Sequence, residues 1–392
     1  MDASPRLTID LDGLGFDAGA HLLVAHVLGQ VAAGERVRVV GTDPHLRLHL
    51  TAWCRSEGHD LDGDLVRKGT ARADRWRDAV RAGSPRVPSP SADPAWGLAA
   101  RGALVEDHGP PLARADLVDR DAVWADIVPK LYAQAAAGQW DPDAAIDWTA
   151  GEWLPDEVED AVVQVMTYLI ENEQAALAVP AAHIARIHPH FREVIAFLAT
   201  QVADEARHVE VFTRRALLHR EALGTSSAGG RASLQTLLEE PDFTMASLML
   251  SVLGEGTFLD LLTFLERYAP DAVTRRVAQL VRTDEARHVA FGQAHLEHRV
   301  AVEPDLRPRV RLAIERRHDA LRQSAGLNAD VRDALALLAA GAFTTHAISA
   351  GWQRVQELER TMHDGRRRRL GRLGFSHEEA DELSALHTRN FM

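Results

Sequence analysis

Asp204-Glu205-Ala206-Arg207-His208-Val209 recurs unchanged as Asp284-Glu285-Ala286-Arg287-His288-Val289. A repeated six-residue string in a chain of 392 residues points to a duplicated structural unit. On a helix, residues three apart share a face, so Glu205 lies beside His208 and Glu285 beside His288. Both pairs fall in apolar stripes: Val194, Leu198, Glu205, His208 and Phe212 in one, Val277, Val281, Glu285, His288 and Phe291 in the other. A core-facing carboxylate is costly unless it is paired or bound to a cation. Satisfied core histidines would account for one such pair, whereas two identical copies point to metal ligation.

A dinuclear site inside a helical bundle needs one further Glu from each of two other helices. Upstream of the first motif, Val162, Met166, Ile170, Glu173 and Leu177 place Glu173 in an apolar stripe. Leu248, Val252, Glu255, Leu259 and Leu262 do the same for Glu255 upstream of the second. Glu171 is the rival for Glu173, but its helical neighbours Gln164, Thr167 and Gln174 are polar, which reads as a solvated position or one around the ligands.

Spacing supports the pairing. The midpoint between Glu173 and Glu205 is Pro189, and that between Glu255 and Glu285 is Pro270. Proline disfavours helix in the residue before it, so both stretches should fold back with their ligands face to face. Pro180 should kink the first of these helices. The expected ligands are Glu173, Glu205, His208, Glu255, Glu285 and His288. Four carboxylates against two divalent ions give a neutral buried cluster. Mixed carboxylate and imidazole donors suit iron, or manganese, better than structural zinc. Asp204 and Asp284 can hold a histidine N–H, with Arg207 and Arg287 paired to them around the ligands.

Outside this repeat, the first hundred residues alternate strand and helix. Leu7 to Leu11 and Arg36 to Val40 are β-like, Ala18 to Val31 is apolar at helical spacing, and a second helix runs to about Ser56. The expected fold is mostly α, a helical bundle preceded by a small two-layer α/β domain. Its expected bounds are 1–81 for the α/β domain, 82–114 for a Pro-rich linker, and 115–392 for the bundle with extra C-terminal helices. Gly224 to Gly230 should break the helical region into two halves, each a helix pair.

Composition narrows the function. The net charge of −13 argues against a nucleic-acid binder or a membrane-surface protein. No segment is expected to reach the apolar length of a bilayer span, and the N-terminus carries no secretion-signal pattern. A single cysteine, Cys54, excludes an intramolecular disulfide framework and fits a reducing compartment, so the expected location is cytoplasmic. The basic run Arg366 to Arg369 reads as a solvated helix end.

From about Asp121 to Val300 the sequence resembles the ferritin-like di-iron carboxylate superfamily, whose signature is Glu followed about thirty residues later by Asp-Glu-x-x-His, twice. The likeness includes Gln139-Trp140-Asp141-Pro142 and Ile146-Asp147-Trp148, similar to the segment leading into the bundle in oxidase and oxygenase members. It implies a ferritin-like bundle holding two iron ions, with manganese as the alternative, and O₂ as co-substrate. It also implies oxidase or oxygenase chemistry on a small organic substrate with an external electron donor, and it leaves a homodimer open. Ferroxidase, iron-handling or peroxide-scavenging activity is the alternative. Phe212 stands where ribonucleotide reductase small subunits carry a radical-forming tyrosine, which argues against that activity.

Residues Leu7 to Leu65 resemble the TusA-type sulfur-carrier family through Leu11-Asp12-Gly13-Leu14-Gly15, Thr42-Asp43-Pro44, Trp53-Cys54-Arg55 and Gly58-His59-Asp60-Leu61. That family's carrier cysteine motif is here Ala18-Gly19-Ala20-His21, so no thiolate stands ready to hold sulfur. The resemblance implies a docking or structural module, with an accessory role in sulfur trafficking as a further alternative.

Overall fold

A computed structural model describes residues 4–107, 109–321 and 329–386. The chain forms two compact units, Met1–Arg86 with Ala99–Pro110, and Val87–Leu98 with Pro111–Met392. The Pro-rich stretch is therefore shared: parts of it belong to each unit.

The first unit contains β1 (Leu7–Asp10), α1 (Ala20–Gly29), β2 (Arg36–Val40), α2 (Leu46–Glu57), β3 (Asp60–Asp62) and β4 (Leu65–Arg67). The sheet order is β1-β2-β4-β3, with β1 and β2 parallel and the remaining pairs antiparallel. Alternation in β2 buries Val37 and Val39. They meet Ala20, Val24 and Leu28 of α1 and Leu50 and Cys54 of α2, spaced at helical turns, in one small core. Gly58 ends α2 at φ +70°, a conformation that favours glycine. Two short strands, β5 (Val80–Arg81) and β6 (Leu104–Val105), pair antiparallel in the same unit.

The second unit is helical, so the mostly α bundle with a small α/β unit before it is the observed fold class. Its main helices are α3 (Val128–Ala137), α4 (Asp156–Ile184), α5 (Arg192–Ala216), α6 (Ala228–Leu238), α7 (Phe243–Tyr268) and α8 (Ala272–Val302). Helices α9 (Leu306–Leu321), α10 (Ala329–Ala340), α11 (Thr345–Arg372) and α12 (His377–Ala385) pack onto them. Helices α4 and α5 turn at Pro189, which opens a short 3₁₀ turn, and α7 and α8 turn at Pro270. Both hairpins reverse where the ligand midpoints fall. Pro180 lies inside α4.

Helix α7 contains a π-helical stretch, Leu248–Glu255, that ends on an expected ligand. Such stretches are frequent at functional sites. Two carbonyls within it receive side-chain donors: Arg369 Nε donates to Val252 O (2.7 Å) and Thr257 Oγ1 to Leu253 O (2.6 Å).

The structure corrects three expectations. Arg366 and Arg369 are not at a solvated helix end: Arg366 is buried and donates to Thr257 Oγ1, while Arg369 lies along α7. Gly256 makes room for it, since a Cβ there would stand 2.5 Å from Arg369 Cζ. Helix α7 is also long and apolar enough to cross a membrane, contrary to expectation, yet it is mostly buried within the helical unit. Finally, Gly224–Gly230 is only partly a break, because Ser227 caps α6 and Gly229 and Gly230 lie in its first turn.

Candidate metal centre

The two hairpins bring all six expected ligands together. Glu173 comes from α4, Glu205 and His208 from α5, Glu255 from α7, and Glu285 and His288 from α8. All six are buried, Glu205 and His208 at 0% exposure. Their donor atoms form two overlapping groups, each able to hold a metal ion: Glu173, Glu205, His208 and Glu285, and Glu205, Glu255, Glu285 and His288. Within each group these atoms lie within 4.8 Å of one another. Glu205 and Glu285 belong to both groups. Glu173 and Glu255 each belong to one.

The histidines face the carboxylates through Nδ1. His208 Nδ1 lies 3.1 Å from Glu205 Oε2, 3.3 Å from Glu285 Oε1 and 3.7 Å from Glu173 Oε1. His288 Nδ1 lies 3.0 Å from Glu205 Oε1 and 3.4 Å from Glu285 Oε2. Their Nε2 atoms point outward, each to the aspartate of the other motif. His208 Nε2 donates to Asp284 Oδ2 (3.3 Å) and His288 Nε2 to Asp204 Oδ2 (3.3 Å). With Nε2 held by an aspartate, Nδ1 is the ring nitrogen directed at the carboxylate cluster.

The aspartates are held in turn. Arg207 bonds both, Asp204 Oδ1 at 2.5 Å and Asp284 Oδ2 at 2.9 Å, and Arg287 likewise bonds both. Gln139 Nε2 donates to Asp204 Oδ1 (2.9 Å) and Trp140 Nε1 to Asp284 Oδ2 (2.8 Å). The Arg207 guanidinium lies over the Trp140 ring, 4.5 Å from its centroid, and donates to Gln139 Oε1.

Electrostatics follows from burying six ionisable groups together. Burial, then the charges of Glu205 and Glu285, push the Glu173 carboxyl well above its ordinary range; burial and Glu285 do the same for Glu255. Burial opposes charge on His208 and His288, but the surrounding carboxylates more than offset it and raise both imidazoles. Burial also pushes Glu205 upward, and the two histidines overcome it and hold Glu205 below the usual carboxylate range. Six donor atoms make no hydrogen bond of acceptable geometry: Glu173 Oε1, Glu205 Oε1, Glu255 Oε2, both oxygens of Glu285, and His288 Nδ1. Buried polar atoms without partners are rare, and here they converge on one point. Unpaired donors of this chemistry fit two divalent cations.

Glu171 is half-buried and stands in neither group; it borders a small cavity with Gln164, Tyr168 and Thr225. One further residue touches a ligand. Gln201 is buried one turn before Glu205, and its Nε2 donates to Glu255 Oε1 (2.9 Å). A polar residue within the stripe Val194, Leu198, Gln201, Glu205 was its signal in the sequence. The corresponding residue before Glu285 is Val281, so the two halves differ here. Gln139 and Trp140 entered the sequence reading only through a resemblance, with no role attached.

No family model matches this chain, and no curated protein does. Among solved structures it is similar to an R2-like ligand-binding oxidase with aerobically reconstituted metal cofactor after photoconversion (18% identity, 67% of this chain, 90% of that chain, TM-score 0.42). The same oxidase with aerobically reconstituted Mn/Fe cofactor after a long soak matches at 18% identity over 68% of this chain and 91% of that chain, with a TM-score of 0.42. A tyrosine-to-phenylalanine mutant of that oxidase, also with Mn/Fe, gives 19% identity, 64% and 93% coverage, and a TM-score of 0.46.

Proposed function

We propose that this protein is an O₂-dependent, non-haem dinuclear oxidase or oxygenase acting on a small organic substrate. The observation that carries the reading is the convergence of four buried glutamates and two buried histidines, with six of their donor atoms left without a hydrogen bond. Glu173, Glu205, His208, Glu255, Glu285 and His288 would hold two iron ions, or iron and manganese, with Glu205 and Glu285 common to both groups of donors. When bound, such a pair supplies the redox equivalents for O₂ chemistry.

The chain's own residues then do three things. Asp204 and Asp284 keep each histidine proton on Nε2, so Nδ1 remains a donor. Arg207, Arg287, Gln139 and Trp140 keep those aspartates charged and oriented. Phe197, whose ring centroid lies 6.5 Å from that of His288, packs with Leu198 and Phe291 in one buried cluster and Phe212 lies in a second, and these apolar side chains keep bulk water out. Electrons would come from an external donor or from the substrate.

The first unit fits a docking or structural module better than a sulfur carrier. Ala18 holds the carrier position, and Cys54 is 1% exposed with its thiol pushed up to about 11, by burial first and by Asp60 second.

The test is anaerobic loading of the full chain with Fe(II), with and without Mn(II), followed by O₂ and candidate small organic substrates. The proposal expects about two metal ions per chain and a product that requires both substrate and O₂. Iron consumed as accumulating mineral, or peroxide removed, with no organic product, would establish iron handling instead.

A further inference from the structure

Arg317 is 5% exposed, yet no carboxylate pairs with it among the described residues. Its guanidinium donates to Ser233 Oγ (3.0 Å) and Thr236 Oγ1 (2.5 Å), two neutral hydroxyls on α6, and touches Met249 Sδ at 3.9 Å. Burial pulls the group down to about 10, so it remains a cation at neutral pH. A buried cation held only by hydroxyls is costly, and the usual remedy is an anion. The next residues, 322–328, contain no Asp or Glu.

The side chain borders a groove of about 480 Å³, which none of the six expected ligands lines. The three carboxylates along the groove are engaged elsewhere. Asp242 pairs with Arg309 at 3.1 Å, Glu239 accepts from Gln235, and Glu240 accepts from the Asp242 N–H. Arg309, Arg316 and Thr236 also line it, and the rest of the wall is apolar: Met245, Met249, Leu312, Ala313 and Ala320. We infer that this groove is a binding site for a small organic monocarboxylate, its carboxylate on Arg317 and its apolar body against Met245, Met249 and Leu312. Three acids and three arginines leave the lining without a net charge, and the apolar wall gives an inorganic anion nothing to bury. A planar guanidinium already oriented by two hydroxyls is suited to a carboxylate. This site is independent of the metal-centre proposal.

The experiment is calorimetric titration of the full chain with sodium butyrate and sodium benzoate, with sodium phosphate and sodium sulfate run in parallel. Saturable binding of one carboxylate per chain is expected, weakened by about tenfold or more in Arg317→Met. Leu312→Glu, at an exposed position on the groove wall, keeps the guanidinium and adds a negative charge. It too should weaken butyrate binding, with an unchanged circular dichroism spectrum, which keeps the test valid if Arg317→Met fails to fold. The inference is overturned by absence of saturable carboxylate binding, by equal affinity in Leu312→Glu, or by binding of phosphate or sulfate in preference to butyrate.

Discussion

His208 and His288 each do two jobs with one ring, facing the carboxylates through Nδ1 and an aspartate through Nε2. Replacing either with Ala should lower metal content from about two ions per chain towards one, measured by elemental analysis of the loaded protein. Asp204→Asn or Asp284→Asn, which keeps the size but removes the charge behind a histidine, should weaken metal affinity by about 10–100-fold. Glu171→Ala should leave metal content unchanged, because that side chain stands outside both groups. Loss of metal in Glu171→Ala with retention in Glu173→Ala would move the first ligand by two residues.

A second buried charge cluster sets acid stability. Arg215, at 0% exposure, bonds Glu159, Asp271 and Thr274 where α5 meets the starts of α4 and α8. Burial pushes Asp271 up, but Arg215 and Thr274 more than offset it and hold the carboxyl below its ordinary value. A depressed carboxyl contributes stability that is present above its unfolded value, about 3.9, and is lost as pH falls through the lower folded value. Thermal melts between pH 6 and pH 3 should therefore fall less steeply in Asp271→Asn than in the parent. Arg215→Ala should cost about 3–5 kcal/mol at pH 7, because it strands two buried acids. A melt unaltered by Arg215→Ala would exclude a role for this cluster in stability.

Among the elements, α7 depends most on its neighbours. Its π-helical stretch approaches α8 at Gly292, where a Cβ would stand 2.3 Å from Ser251 Cβ and 3.5 Å from Ser247 O. Gly292→Ala must push the two helices apart, at a cost of about 1–3 kcal/mol, and with them Glu255 relative to His288. A lower melting temperature together with reduced metal content is the expected pair of readings. Gly371, in the last turn of α11, has nothing within 4 Å of its added Cβ and no positive φ. There the same substitution should stabilise by about 0.4–1 kcal/mol and leave the metal alone. If both glycine variants behaved alike, close approach at Gly292 would not control the site.

For the molecule as a whole, the boundary between the units matters more than the count of prolines. Residues 87–98 belong with the helical unit. The Ser89 N–H donates to His190 Nε2, Ala92 is buried with the residues around Phe191, and the Trp96 ring packs on His188 and His190. A chain beginning at Val87 should fold and bind about two metal ions, whereas one beginning at Pro111 should melt lower because it lacks those contacts. Loss of metal from a soluble, folded chain beginning at Val87 would show that the helical unit needs the first one. Retained metal with lost turnover would support the docking role.

The sequence alone determined which six side chains would converge and where the two turns fall, because both are written in local rules. Residues three apart share a helix face, apolar neighbours mark that face as buried, and a proline disfavours helix in the residue before it. The alternation in β2 and the helical spacing in α1 determined the first unit in the same way. What lies across the space between helices followed no such rule. Only the tertiary structure decided that each aspartate holds the other motif's histidine, and that Glu205 and Glu285, rather than Glu173 and Glu255, stand between the two positions. It alone placed Gln201 on Glu255, buried Arg366 against Thr257, and left Arg317 on a groove with no carboxylate paired to it among the described residues. These pairings depend on the rotation and separation of packed helices, which the close contacts at Gly256 and Gly292 set. Helical periodicity fixes which way a side chain points, whereas packing fixes what it meets.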